Sequence, residues 1–239
     1  MYHTQKTYIR PDSVMVKLID KNPSLLLLMQ HFEVDFCVDD KTVSSVCCSY
    51  DIDLNAFTVI ANLYNGFYPE EKEIDNIKDI KLLIRFLENS HSFYKNDKYP
   101  EIINYIKELK NSQNTENILL IEKFFNSYFN EVLEHFDYED KIAFPYFKRI
   151  LEDRPVKAND GFSVNEYRIH HTDIETKLDD LKNLLLKHVS LTDDLPVRRK
   201  FLYGLFELEF DLQIHSVIEE KVLLPLIDKY EITQRNGKM

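Results

Sequence analysis

Glycine is scarce in this sequence, four in 239 residues, and proline is sparse at eight. A turn-rich β fold needs both at its chain reversals, so their scarcity points instead to long helices built from the abundant Leu, Ile, Lys and Glu. Positive charge is short as well: 30 Lys and Arg face 41 Asp and Glu, for a formal net charge of −11 and a pI near 5.2. Such a surface repels phosphate backbones, which excludes nucleic acid as a partner. Long hydrophobic runs are missing, the longest strongly apolar stretch being Leu25 to Met29, far too short to cross a bilayer. No charged, apolar and small-residue layout of a secretory signal opens the chain. The expectation is a soluble, cytoplasmic protein with no membrane partner. Cysteine is limited to Cys37, Cys47 and Cys48, an odd count that does not make a disulfide framework and suits a reducing compartment.

What is present is helical periodicity. Short patterns occupy Ser13 to Met29, Thr42 to Cys48 and Leu54 to Asn65. Gly66, Pro69 and the charged stretch Glu70 to Asp75 then read as a break and a solvated linker,. This predicts a small helical N-terminal domain over 1–76 and a second domain over 77–239. Within the second, long periodic segments cover about 78–109, 115–152, 162–189 and 195–230. Four long helices with short connections predict an all-α, up-down-up-down four-helix bundle.

The core stripe of such a bundle recurs at alternating steps of three and four residues, so a polar residue held in it needs a reason. The second helix reads Phe125, Tyr128, Val132, His135, Glu139, Ile142, Tyr146, and the fourth reads Leu205, Leu208, Leu212, His215, Glu219, Val222, Leu226. The first gives Ile80, Ile84, Leu87, His91, Tyr94, and the third Val164, Tyr167, His171, Ile174, Leu178, Leu181. Imidazoles from every helix and two carboxylates thus face inward. Each ionised glutamate left alone in an apolar core would cost several kcal/mol, and a multivalent cation removes that cost. Spacing argues the same way: His91 and His171 are 80 residues apart, as are His135 and His215, and Glu139 and Glu219. Pro145 and Pro225 repeat the interval, at places where a proline kinks or ends a helix,. The bundle reads as two copies of one helical hairpin around a metal pair.

Carboxylate and imidazole donors without thiolate favour iron or manganese over structural zinc. A lone histidine on an apolar face is more often a hydrogen-bonded core residue than a ligand, and a metal-free scaffold survives if the six inward polar residues satisfy one another. His170, about 100° off the stripe, is assigned to the surroundings of the site or to the surface. His3, His31 and His188 have solvated or packing roles. Glu131, one turn before His135, reads equally as an acceptor behind that histidine or as a surface carboxylate. For Cys37, a buried apolar thiol and a redox or partner-contact role are both open, while Cys47 and Cys48 read as packing residues.

The segments HFDYE at 135–139 followed by Phe144-Pro145, and HSVIE at 215–219 followed by Leu224-Pro225, resemble the hemerythrin-like domain over nearly all of the second domain. Among such proteins the chain is most similar to the repair-of-iron-centres family, di-iron proteins associated with restoring iron-sulfur clusters after nitric oxide or peroxide damage. That narrower resemblance rests on Phe32 to Cys37, similar to the segment that leads into a Cys-Cys-Gly-Gly turn in the family's N-terminal domain. Here Val38, Asp39 and Asp40 stand where the second cysteine and both glycines would be. The resemblance implies that His91, His135, His171 and His215 bind two irons, oxo- or hydroxo-bridged, and that Glu139 and Glu219 bridge them. Oxygen-carrying hemerythrins have a further third-helix histidine one turn away, where Tyr167 and Glu175 stand here. This implies small ligands, NO or O₂, entering at open iron positions, and damaged iron-sulfur proteins as partners. The alternative is a hemerythrin-like sensor or store for O₂, NO or iron without turnover. Exposed apolar residues of the small domain would suit a homodimer.

Overall fold

The computed structural model describes residues 7–112, 116–152, 163–170, 175–188 and 194–236. Among them there is no strand, only a single antiparallel bridge between Val14 and Thr42. In chain order the helices are α1 (Met15–Lys21), α2 (Leu25–His31), α3 (Val43–Ser49), α4 (Leu54–Tyr64), α5 (Glu71–Asp75) and α6 (Ile80–Phe93). A π-helical turn, π1 (Tyr94–Lys98), joins α6 to α7 (Tyr99–Ser112). Next come α8 (Glu116–Tyr138), π2 (Glu139–Ala143) and α9 (Phe144–Leu151), followed by α10 (Val164–His170) and α11 (Glu175–Lys187). The chain closes with α12 (Leu195–Val217), π3 (Ile218–Leu223) and α13 (Leu224–Asn236). Among the described residues no helix is long and apolar enough to cross a membrane.

Local chemistry sets these boundaries. The pattern read as one segment over Ser13 to Met29 is two helices, because Pro23 has no N–H to continue the first and disfavours helical geometry at Asn22,. Asn22 ends α1 and turns its side-chain amide to Tyr64 O and Asn65 Oδ1. Thr42 caps α3 by accepting from Ser45 N,. At the end of α4, Gly66 takes a positive φ of 78°. Its N–H reaches Leu63 O while Phe67 N reaches Asn62 O, the paired bonds of a Schellman turn,. The charged stretch expected to be a solvated linker is helical instead: Glu70 and Glu73 form a capping box, Ile74 is buried, and Lys229 pairs with Asp75,.

Asp53 concentrates much of this local order. Its Oδ1 accepts from Asn55 N at 2.8 Å and Ala56 N at 3.1 Å, capping α4, while Oδ2 accepts from Lys78 N at 2.7 Å and Asp79 N at 3.0 Å just before α6. Partial burial pushes this carboxyl up, but the backbone N–H groups outweigh burial and hold it below its usual range,. Replacing Asp53 with Ala is expected to remove about 2 kcal/mol at pH 7, the scale of a lost N-cap plus a lost charged hydrogen bond. A folded-state value below the unfolded one means the contribution is full above about pH 4 and is lost as pH falls through the folded value. Urea melts of both proteins should therefore converge in acid, and a gap independent of pH would refute the assignment.

By internal packing the described residues fall into two compact units, one within Met1–Ser90, Phe147–Asp160 and Ile214–Met239, the other within His91–Tyr146 and Gly161–Gln213. In the first, Phe32 packs on Phe57 and Phe86 with ring centroids 5.1 and 4.8 Å apart, and buried His31 meets Phe86 edge-on at 5.2 Å. That fulfils the packing role expected of His31. Asn62 both accepts from Ile9 N and donates to Ile9 O, tying the segment before α1 to α4. In the second unit, Tyr99 of α7 stacks on Phe129 of α8 at 3.8 Å and donates to Asn126. Buried Lys182 of α11 pairs with Glu209 of α12 beneath the Phe206 ring.

Candidate metal centre

Two of the three π turns carry the buried glutamates, Glu139 in π2 and Glu219 in π3. Tyr99 N bonds Tyr94 O, Phe144 N bonds Glu139 O, and Leu224 N bonds Glu219 O, each five residues back. Each donor immediately precedes a proline: Pro100, Pro145 and Pro225. A proline in a regular helix would clash with the carbonyl four residues earlier and leave it without a donor; inserting one extra residue per turn relieves both problems. The helices therefore continue where the sequence predicts a kink or an end. The extra residue also shifts the core stripe, so Ile142, expected inside, is 46% exposed while Ala143 and Phe144 are buried.

Glu139 opens π2 and is 0% exposed. His135, one turn earlier on α8 and buried, places Nε2 3.1 Å from Glu139 Oε1. His91, near the end of α6 and buried, places Nε2 3.2 Å from Glu139 Oε2, which accepts no hydrogen bond of proper geometry. On the far side of the ring, His91 Nδ1 meets Asp140 Oδ1 at 2.7 Å, and Lys95 holds the other Asp140 oxygen at 2.9 Å. Stacking against Phe136 at 4.1 Å fixes the ring plane. Burial pushes the His91 imidazole down, yet Asp140 and Glu139 outweigh it and carry it up to about 9. Burial likewise pushes Glu139 up, and the His135 and His91 imidazoles hold it well below the usual carboxylate range. A centre that draws a proton onto a fully buried imidazole lacks positive charge, and a cation taking its place would expel that proton.

The other half is built the same way. His215 on α12 places Nε2 3.3 Å from Glu219 Oε1, one turn on and 1% exposed. The Ser90 hydroxyl donates to Leu87 O at 2.7 Å, so its oxygen accepts from His215 Nδ1–H at 2.8 Å, which leaves the Nε2 lone pair for a ligand,. His91, Glu139, His215 and Glu219, all buried, each offer one ligand atom, and these atoms lie within 4.8 Å of one another. Buried carboxylate and imidazole atoms this close together fit a multivalent cation, and an oxygen and nitrogen donor set without thiolate is that of a hard or intermediate metal,.

Of the residues expected to bind metal, His91, His135, Glu139, His215 and Glu219 are buried, the first and the last three form the cluster of four, and His135 joins through Glu139. His171 lies outside the described residues, as do His3 and the side chain of His170. His188 is exposed, as expected. Glu131 is exposed and pairs with Lys177, which selects the surface reading. Cys47 is buried and its thiol is pushed up to about 12 by burial, but Cys48 is exposed and not the packing residue expected, because its side chain falls on the outer face of α3. Cys37 is exposed too, which removes its buried-thiol reading. Sequence reasoning missed Ser90 and Asp140, which hold the ligand rings, and gave Tyr167 no role at Glu139. Their only signal is position: Ser90 adjoins His91, Asp140 adjoins Glu139, and Tyr167 stands four residues before His171.

Comparison with curated proteins finds no match. The sequence model of the hemerythrin HHE cation binding domain matches residues 101–227, a stretch that starts after His91 and contains His135, Glu139, His215 and Glu219. The match spans more than half of the chain and coincides with a helical fold and a buried histidine–glutamate cluster, so the chain belongs to the hemerythrin HHE cation-binding domain family.

Proposed function

We propose that this chain is a di-iron protein that repairs iron-sulfur clusters damaged by nitric oxide or peroxide. The observation that carries the metal half of this reading is the buried cluster of His91, Glu139, His215 and Glu219, with His135 alongside. Its donors suit iron, with manganese as the competing metal. When bound, iron would supply redox chemistry and open positions for NO or O₂, while Asp140 and Ser90 keep the His91 and His215 rings turned inward. The repair half rests on the similarity of Phe32 to Cys37 to the repair family's N-terminal segment, where the Cys37 thiol is exposed and its N–H is tied to Asp35 Oδ1 at 2.7 Å. An exposed thiol on an ordered turn suits contact with a damaged partner protein. The acidic surface suits protein partners in place of nucleic acid,.

A purified iron-sulfur enzyme inactivated by nitric oxide tests this. Iron-loaded protein is expected to restore its activity, and the His135→Ala variant to leave it inactive. Equal recovery with free iron at the same concentration would sink the repair reading. It would leave a sensor or store for iron, NO or O₂, which the complete burial of Glu139 favours as the second reading.

A further inference from the structure

Glu139 is held from a third direction. Tyr167 on α10 is 1% exposed, and its phenol donates to Glu139 Oε1 at 2.5 Å. Its ring lies nearly parallel to that of Tyr138, centroids 6.5 Å apart, so the phenol is fixed by packing as well as by its hydrogen bond. Oε1 therefore faces the phenol and His135 Nε2, while Oε2 faces only His91 Nε2 among the bonds described above. A carboxylate has about four lone-pair positions on its two oxygens. One taken by the phenol still leaves one on Oε1, which lies 3.1 Å from His135 Nε2, and those on Oε2, which lies 3.2 Å from His91 Nε2.

We propose that Tyr167 is a positioning residue for metal ligation: its phenol locks the Glu139 carboxylate in the orientation where Oε1 serves the cation held by His135 and Oε2 the cation held by His91. The inference rests on the metal-centre reading above. A glutamate side chain has three rotatable torsions, and a bridging role requires its two oxygens to stay within about half an ångström of their places. A hydrogen bond to an ionised carboxylate in a buried, low-dielectric site is strong enough to hold them there. The phenol reaches Glu139 from α10, while His135 reaches it from the preceding turn of α8. Loss of the hydroxyl frees the carboxylate to swing without altering the helix that carries it.

Tyr167→Phe isolates this effect, because it keeps the ring and removes only the hydroxyl. Wild type and variant are loaded with ferrous iron and mixed with an excess of a coloured iron chelator. Infrared carboxylate bands of the loaded proteins and melts of the metal-free proteins are recorded beside them. The variant is expected to bind iron about 10- to 100-fold more weakly, with shifted carboxylate bands and a metal-free melt within about 4 °C of wild type. Equal iron affinity and unmoved bands in a variant whose wild type holds iron overturn the positioning role alone. A wild type that retains no metal overturns the metal centre and this inference together. A visible phenolate-to-iron band in wild type that the variant lacks makes Tyr167 a ligand and also overturns it.

Discussion

Loaded with ferrous iron and freed of excess, the protein should carry about two metal ions per chain, and Glu139→Ala should carry almost none. The expected stoichiometry is that of the proposed di-iron reading: Glu139 has one oxygen beside His135 and the other beside His91, and Glu219 lies beside His215. On the di-iron reading Glu139 serves one ion through each oxygen, beside His135 and beside His91,. Removing Glu139 therefore takes a ligand from both positions. The variant should still fold, because a buried carboxylate that has lost its cation is itself a cost. Circular dichroism of the metal-free variant separates folding from binding. Elemental analysis returning one tightly bound ion for wild type, or a full complement for Glu139→Ala, would rule out the dinuclear assignment.

The buried histidines and glutamates were legible because the bundle stripe makes polar intruders conspicuous. His91, His135, Glu139, His215 and Glu219 were identified from step size and the 80-residue repeat, and all are buried. The residues that orient them were not, and the reason is physical. Ser90 and Asp140 reach their histidines across 125 and 49 residues of sequence, so the contact is a property of helix packing that no local pattern encodes. Tyr167 looked like ordinary core at its position in the third stripe, and only the distance from its hydroxyl to Glu139 distinguishes it.

The fold was legible at the level of helices and less so in their interiors. Treating Pro145 and Pro225 as helix ends follows from regular α geometry. The chain escapes that rule by widening the turn before each proline, and the first helix does so too at Pro100. Lys141 and Lys221, four residues before their prolines, sit inside π2 and π3, where a widened turn relieves the clash that regular α geometry would impose,. The same widening explains why Ile142, in phase by counting, lies outside. In π2 and π3 the carbonyl that accepts the long bond belongs to Glu139 or Glu219. Each of these two prolines thus shares one widened turn with a buried glutamate, a link that residue spacing alone presents as mere repetition.

Stripping the metal should lower the melting temperature by about 8–16 °C. His91, His135 and Glu139 come from α6, α8 and π2, so a cation bound by them would tie these elements together, and the unfolded chain has no site of comparable geometry,. Metal present at a thousandfold above its dissociation constant stabilises the folded state by about 4 kcal/mol, and a chain of this size shifts by about 2–4 °C per kcal/mol. Without metal the nearby Asp140 and Glu139 carboxylates raise the His91 imidazole to about 9, so positive charge on that ring would offset part of the loss. The metal-free protein is thus expected to remain folded at 25 °C while melting earlier. Scanning calorimetry before and after chelation, with metal returned to the same sample, measures the difference. A melt unmoved by chelation would mean that the buried carboxylates are balanced by the imidazoles alone, and that the cluster is structural polar packing instead of a metal site.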